Sequence, residues 1–251
     1  LRTHPLTTER ISDVTNRVDQ MPYKQVPDSI DFQFVRAKLR ASATYVDKQS
    51  VQSSIDLFLQ NIKEHRYTNE AAEHYGLASA YLNKNQLLQA QAEADWLKKN
   101  APAHPMIESL AAKILVAKNS PQQAEQQYAA ALKKYPENRA LIFGQAEHFL
   151  GVKKPDLVIK FLTDKQNLYP QDPYFYELKS RAYAMMNKSL LSHQALGEAY
   201  YRKYDLKRAA EQMDLAAKAK DGDFYQHSIV EARLKEFQRM QDDEKKAKNA
   251  S

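Results

Sequence analysis

The sequence predicts an all-α protein in which antiparallel helical hairpins recur every 34 residues and stack side by side. Three observations carry this expectation: prolines that stop helices at constant spacing, small residues at matching places between them, and almost no strand-like alternation. Pro102, Pro136 and Pro170 lie 34 residues apart. Proline cannot continue a helix, because it lacks an N–H and its ring blocks the preceding turn. The blocks between these stops run over residues 71–104, 105–138 and 139–172.

Within the blocks, other positions fall into register. Leu77, Ala78 and Tyr81 are matched by Ala111, Ala112 and Leu115, then by Gln145, Ala146 and Phe149. In the second helix of each block, Ala90 and Ala94 correspond to Ala124, Tyr128 and Ala131, and then to Val158 and Leu162. The cleanest local match is later, at Leu196-Gly197-Glu198-Ala199-Tyr200, followed by Ala209 and Met213. Two helices cross at these places, and a large side chain would push them apart. This pattern resembles the tetratricopeptide repeat. The resemblance implies a superhelix, an α-solenoid, of about twelve antiparallel helices closed by a C-terminal capping helix.

The register changes after Pro173. A first helix runs from Tyr174 to about Met186, and the next good match begins near Leu190, roughly half a repeat on. One helix near 190–203 therefore ends one repeat and starts another, making an irregular pair near 173–203. A helix near 206–219 follows. A long polar helix from Phe224 to about Asp243 carries Ile229, Ala232, Leu234 and Phe237 at helical spacing and is expected to cap the array. Upstream, residues 30–46 place Phe34, Val35, Leu39 and Ala43 on one face. Residues 50–65 place Val51, Ile55, Phe58, Leu59 and Ile62 on another. Pro22 and Pro27 mark a linker over 21–29. The expected organisation is thus 1–20, a linker at 21–29, a helical pair at 30–70, repeats at 71–219, and a cap with a frayed tail at 220–251.

Composition narrows the function classes. With 5 glycines and no cysteine in 251 residues, a disulfide scaffold and a collagen-like repeat are excluded. Apolar residues make up 43% of the chain, too many for a disordered polymer. No apolar run approaches the ~18 residues that a membrane-crossing helix requires. The formal charge is +6, which admits an acidic partner. The lysine pairs Lys98-Lys99, Lys133-Lys134 and Lys153-Lys154 fall near helix ends, where each cation complements terminal carbonyls by ~0.3–1 kcal/mol. They form no stripe and no aromatic platform, so nucleic acid is not an expected partner.

The first twenty residues carry a second signal. Thr3-His4-Pro5 followed by Arg10-Ile11 starts a helix, with Thr7 or Thr8 as cap and Ile11, Val14 and Val18 as a narrow apolar stripe. This segment resembles the closing part of prenyl-protease-like zinc metallopeptidases, whose chemistry is done by an HExxH helix upstream. Joined to a tetratricopeptide array, it is similar to the periplasmic β-barrel assembly-enhancing protease family. Tyr75-Gly76-Leu77-Ala78, Gly222-Asp223-Phe224-Tyr225 and Glu231-Ala232-Arg233-Leu234 also look like that family. The chain opens on Leu1 without an initiator methionine and reads as the inside of a longer protein.

The resemblance implies a parent zinc metallopeptidase in the periplasm of a Gram-negative bacterium, assisting assembly and quality control of outer-membrane β-barrel proteins. The chain itself is not expected to be an enzyme. None of its seven histidines stands in an HExxH, the spacing that puts two imidazoles on one helix face for zinc. It therefore needs no cofactor of its own. His4 reads either as a regulatory or supporting zinc group in the intact protease, or as a helix-start histidine bonding to backbone.

Partners are expected on the concave side, where the first helices of successive pairs face inward. Positions 2, 5, 9, 12 and 13 of each first helix select Tyr75, Ser79, Asn83, Ser109, Lys113, Phe143, Glu147, Tyr174, Glu177 and Arg181 as groove residues. Their aromatic and charged mixture suits a polypeptide: barrel substrates or their assembly machinery, with the metallopeptidase domain as an internal partner. Carboxylate capture is not supported, because positions 5 and 9 lack the required pairing of Lys or Arg with Asn. The alternative is a free-standing tetratricopeptide adaptor whose first residues resemble a peptidase by chance.

Overall fold

The computed structural model describes residues 8–19, 27–42 and 48–249. Thirteen α-helices and no strand occur among them: α1 (Thr8–Asp19), α2 (Ile30–Ser42), α3 (Lys48–Lys63), α4 (Glu70–Asn83), α5 (Leu87–Asn100), α6 (Pro105–Ala117), α7 (Pro121–Lys134), α8 (Arg139–Gly151), α9 (Pro155–Lys165), α10 (Pro173–Met185), α11 (Ser189–Arg202), α12 (Leu206–Ala217) and α13 (Phe224–Asn249). His4 and Ala43, and most of the 21–29 linker, lie outside the described residues.

The 34-residue period is built into the backbone. Asn85, Asn119, Lys153 and Asn187 stand 34 apart at φ 60°, 54°, 57° and 57°, each just past the end of a first helix. That left-handed residue reverses the chain and gives the last carbonyls of the helix a partner. At the second such turn, Asn119 N donates to Val116 O at 3.0 Å and Ser120 N to Leu115 O at 3.0 Å. The helix starts keep the same period. His104, Asn138 and Asp172 each accept a backbone N–H of the first turn, at 3.2, 3.1 and 3.0 Å.

The irregular pair expected after Pro173 has a structural cause. Tyr204 adopts the same turn conformation (φ 60°) only 17 residues after Asn187. Helix α11 packs along its length against both α10 and α12. It is the second helix of one pair and the first of the next. Gly197 makes this possible, since a Cβ there would lie 3.1 Å from the Ala209 carbonyl oxygen.

The core runs as successive clusters along the chain rather than around one centre, as in an array whose units touch only their neighbours. The predicted small positions sit at the crossings: Ala78, Ala90, Ala94, Ala112, Ala124, Ala146 and Val158 are all fully buried. Helices α4, α6, α8 and α10 touch one another in sequence, whereas α5, α7 and α9 make no comparable contact with each other. The first helices therefore form the shorter, inner wall.

Two predicted faces are corrected. In α2 the buried residues are Gln33, Phe34, Ala37 and Ala41, while Val35 and Leu39 are exposed. The alanines let this helix approach its neighbour closely, and bulk at 35 and 39 faces away. In α13 the inner face is Val230, Leu234, Phe237 and Met240, with Ile229 and Ala232 outward. Arg233 ties this cap to α11 through Glu198 at 2.7 Å while lying over Tyr201 and Phe237.

Candidate protein-binding groove

The ten groove residues separate into two groups. At position 9 of the four first helices stand Ser79, Lys113, Glu147 and Arg181. Ser79 is buried, and the other three are exposed. At position 5, Tyr75, Ser109 and Phe143 are buried and Glu177 is half-buried. Position 5 is therefore not open groove surface in the first three repeats. Phe143 shows why: it packs edge-on against Tyr174 and Phe175 of the next first helix, at 4.8 and 4.9 Å, beneath the Arg139 guanidinium.

Over the first repeat the inner wall is already covered, by α2. Phe34 stacks on Tyr75 with ring centroids 5.1 Å apart and meets His104 edge-on at 4.8 Å. Ala37 and Ala41 continue the contact stripe along α2. Both ends of α2 are fastened. His104 accepts from Met106 N through Nδ1, so its Nε2 carries the proton that Asp31 accepts at 3.0 Å. At the other end, Arg40 pairs with buried Glu73 at 3.4 Å and lies over Phe58, while Asn83 donates to the Ala41 carbonyl at 3.1 Å. Burial pushes the Tyr75 phenol up to about 12. Tyr75, Ser79 and Asn83 thus hold the chain's own helix. Sequence reasoning missed this role for Phe34 because the frame for groove positions presumes an empty groove.

From α6 onward the wall is open. The Tyr174 hydroxyl donates to Glu147 across adjacent first helices. Burial first, and then that carboxylate, raise the phenol to about 12. Glu177 pairs with Lys203 of the α11–α12 turn. Exposed Arg181 makes no hydrogen bond or ion pair among the described residues. The walls desolvate the Lys113 amine and Lys38 of α2 lies close enough to repel it; both lower its pKa. The open section is thus lined by Lys113, Glu147, Tyr174, Glu177 and Arg181, a mixed-charge wall with one aromatic.

No group of three or more His, Cys, Asp or Glu placed to hold a metal ion occurs among the described residues. No helix there is long and apolar enough to cross a membrane. The stripe of α1 (Ile11, Val14, Val18) is more than half exposed at each position, at 54, 59 and 55%.

Stacked hairpins, a 34-residue period and a recurring left-handed turn define a tetratricopeptide-repeat solenoid, an architecture that presents an extended concave binding surface. No family model matches the chain. A tetratricopeptide repeat protein from Parabacteroides merdae superposes with a TM-score of 0.50 over 92% of this chain and 90% of that one, at 14% identity. The β-barrel assembly-enhancing protease of Yersinia pestis is 26% identical over 185 residues, which is 73% of this chain and 37% of that protein. A Vibrio cholerae protein provisionally given the same description is 29% identical over 102 residues, 41% of this chain and 20% of its own. The chain resembles the tetratricopeptide region of such proteases and spans well under half the length of both relatives.

Proposed function

We propose that the chain is the protein-docking array of a periplasmic zinc metalloprotease of a Gram-negative bacterium. In this reading it assists assembly and quality control of outer-membrane β-barrel proteins. Residues 1–20 close the upstream metallopeptidase domain, residues 21–29 link it to the array, and the exposed stripe of α1 packs on that domain. The described residues contain no ligand set for an ion, so in this reading zinc belongs to an HExxH helix upstream and this chain carries no chemical step. Its work is to hold barrel substrates or their assembly machinery along α6, α8 and α10 and so position them for the protease. One observation supports this best: the inner wall changes from a section filled by α2 to a section where Lys113, Glu147 and Arg181 stand exposed at equivalent repeat positions.

A photoreactive residue at Arg181, compared with one at Leu157 on the outer helix α9, tests the reading in the intact protein during barrel assembly. Crosslinks to barrel polypeptides or assembly components from Arg181, and none from Leu157, are expected. Equal yields, or none from Arg181, would contradict docking in the groove. The free-standing adaptor reading is separated by the coding sequence upstream: an HExxH about two hundred residues before Leu1 is expected for the protease, and its absence favours the adaptor.

A further inference from the structure

Between the second and third repeats, Lys113, Val116, Pro121, Tyr128, Glu147 and His148 surround a cavity of about 310 Å³ that opens toward the groove. It exists because of Gly144. A Cβ there would come within 2.6 Å of the Tyr128 ring, so glycine lets that ring lie on the α8 backbone as part of the wall. Val116 and Pro121 complete an apolar lining.

The polar side of the cavity is incomplete. His148 is only 4% exposed, and its Nε2 atom has no hydrogen-bond partner. Burial lowers its pKa, which keeps the imidazole neutral near pH 7, and the Pro121 carbonyl accepts from the ring. With Nε2 unpartnered, that proton sits on Nδ1, and Nε2 presents a bare lone pair. A buried acceptor without a donor is costly and rare. Lys113 supplies an ammonium at the same cavity, and Glu147 a carboxylate engaged by Tyr174.

We propose that this cavity is a side-chain subsite for the phenol of a tyrosine on a polypeptide lying in the groove. The ring lies against Tyr128, Val116 and Pro121. The hydroxyl donates to His148 Nε2 and accepts from the Lys113 ammonium. Other side chains leave something unmet. A carboxylate brings only acceptors to a lone pair and to Glu147. A guanidinium or ammonium meets Lys113. A carboxamide leaves the apolar wall unfilled, and phenylalanine fills the wall but leaves Nε2 unpaired. The inference deepens the docking reading and rests on it for the ligand being a polypeptide.

The test uses this chain and three unstructured nine-residue Gly/Ser peptides with Tyr, Phe or Gln at the centre. The Tyr peptide is expected to bind about tenfold or more tightly than the Phe peptide, the usual penalty for an unpaired buried acceptor. In ¹⁵N-histidine NMR it should move the His148 Nε2 resonance, and the Phe peptide should not. His148→Phe should bring Tyr affinity down to the Phe level. Lys113→Met lies at an exposed position and leaves the core intact; it should weaken Tyr binding severalfold. Equal affinity for Tyr and Phe, an unmoved Nε2 resonance at saturation, binding of neither peptide, or Nε2 answered by water alone would each overturn the subsite. Arg181 crosslinking in the Lys113→Met variant keeps the two readings apart: persistence with no Tyr preference removes the subsite and leaves docking standing, whereas no Arg181 crosslinks in the unaltered protein removes docking itself.

Discussion

The first repeat and the second share a 34-residue template, yet Ser79 is buried and its counterpart Lys113 is exposed. The difference arises outside the repeats. Helix α2 brings Phe34 against Tyr75 and buries Ala37 and Ala41 on the inner wall of α4. Serine and alanine suit a place where helices approach, and a long lysine suits one that faces solvent. A repeat frame thus fixes where a residue points. What it meets there depends on the rest of the chain.

The largest effect should come from emptying the filled section. Phe34→Ala removes a fully buried ring and should cost about 3–5 kcal/mol in urea unfolding. Tyr174→Ala, on the open wall, should cost only about 1 kcal/mol, from its bond to Glu147 and its edge contact with Phe143. Equal losses would erase the distinction between the two sections.

Next come two glycines of one helix. Gly144→Ala drives a methyl into Tyr128 and should destabilise by about 1–3 kcal/mol. At Gly151 an added Cβ meets nothing within 4 Å, so Gly151→Ala should stabilise by about 0.5–1 kcal/mol. Thermal unfolding of the pair checks both signs.

His148 gives the open section a pH dependence. Its pKa is lowered in the folded state, first by burial, so the unfolded chain binds the proton more readily. Stability from this group is present above the unfolded value near 6.5 and is lost as pH falls from there through the lower folded value. Urea midpoints measured from pH 7.5 to 5 should decline, and His148→Gln should flatten that slope. The smallest effect is expected at a turn: Lys153 holds the left-handed conformation that asparagine holds in three sister turns. Lys153→Asn should raise stability by a few tenths of a kcal/mol.

Much of the fold was legible because it follows from local sterics. Proline stops, small residues at crossings and the half-repeat shift near α11 all leave marks in sequence order. The seat of α2 left almost none, since Phe34, Ala37 and Ala41 compete with the more apolar Val35 and Leu39 for the apparent inner face. The groove was legible at position 9 of the later repeats and not at position 5, where Tyr75, Ser109 and Phe143 are buried against neighbouring helices or in the core. His148 and Tyr128 could be read only as core positions; an unpartnered ring nitrogen has no signature in a sequence.

The contrast between a filled and an open groove can be measured directly because the chain has no cysteine. Ser79→Cys and Lys113→Cys, made one at a time, place a thiol at the same repeat position in the two sections. Maleimide labelling of the native protein should be slow at 79, controlled by the opening of α2, and as fast at 113 as on an unfolded chain. Comparable rates at the two positions would mean that α2 does not occupy the first repeat.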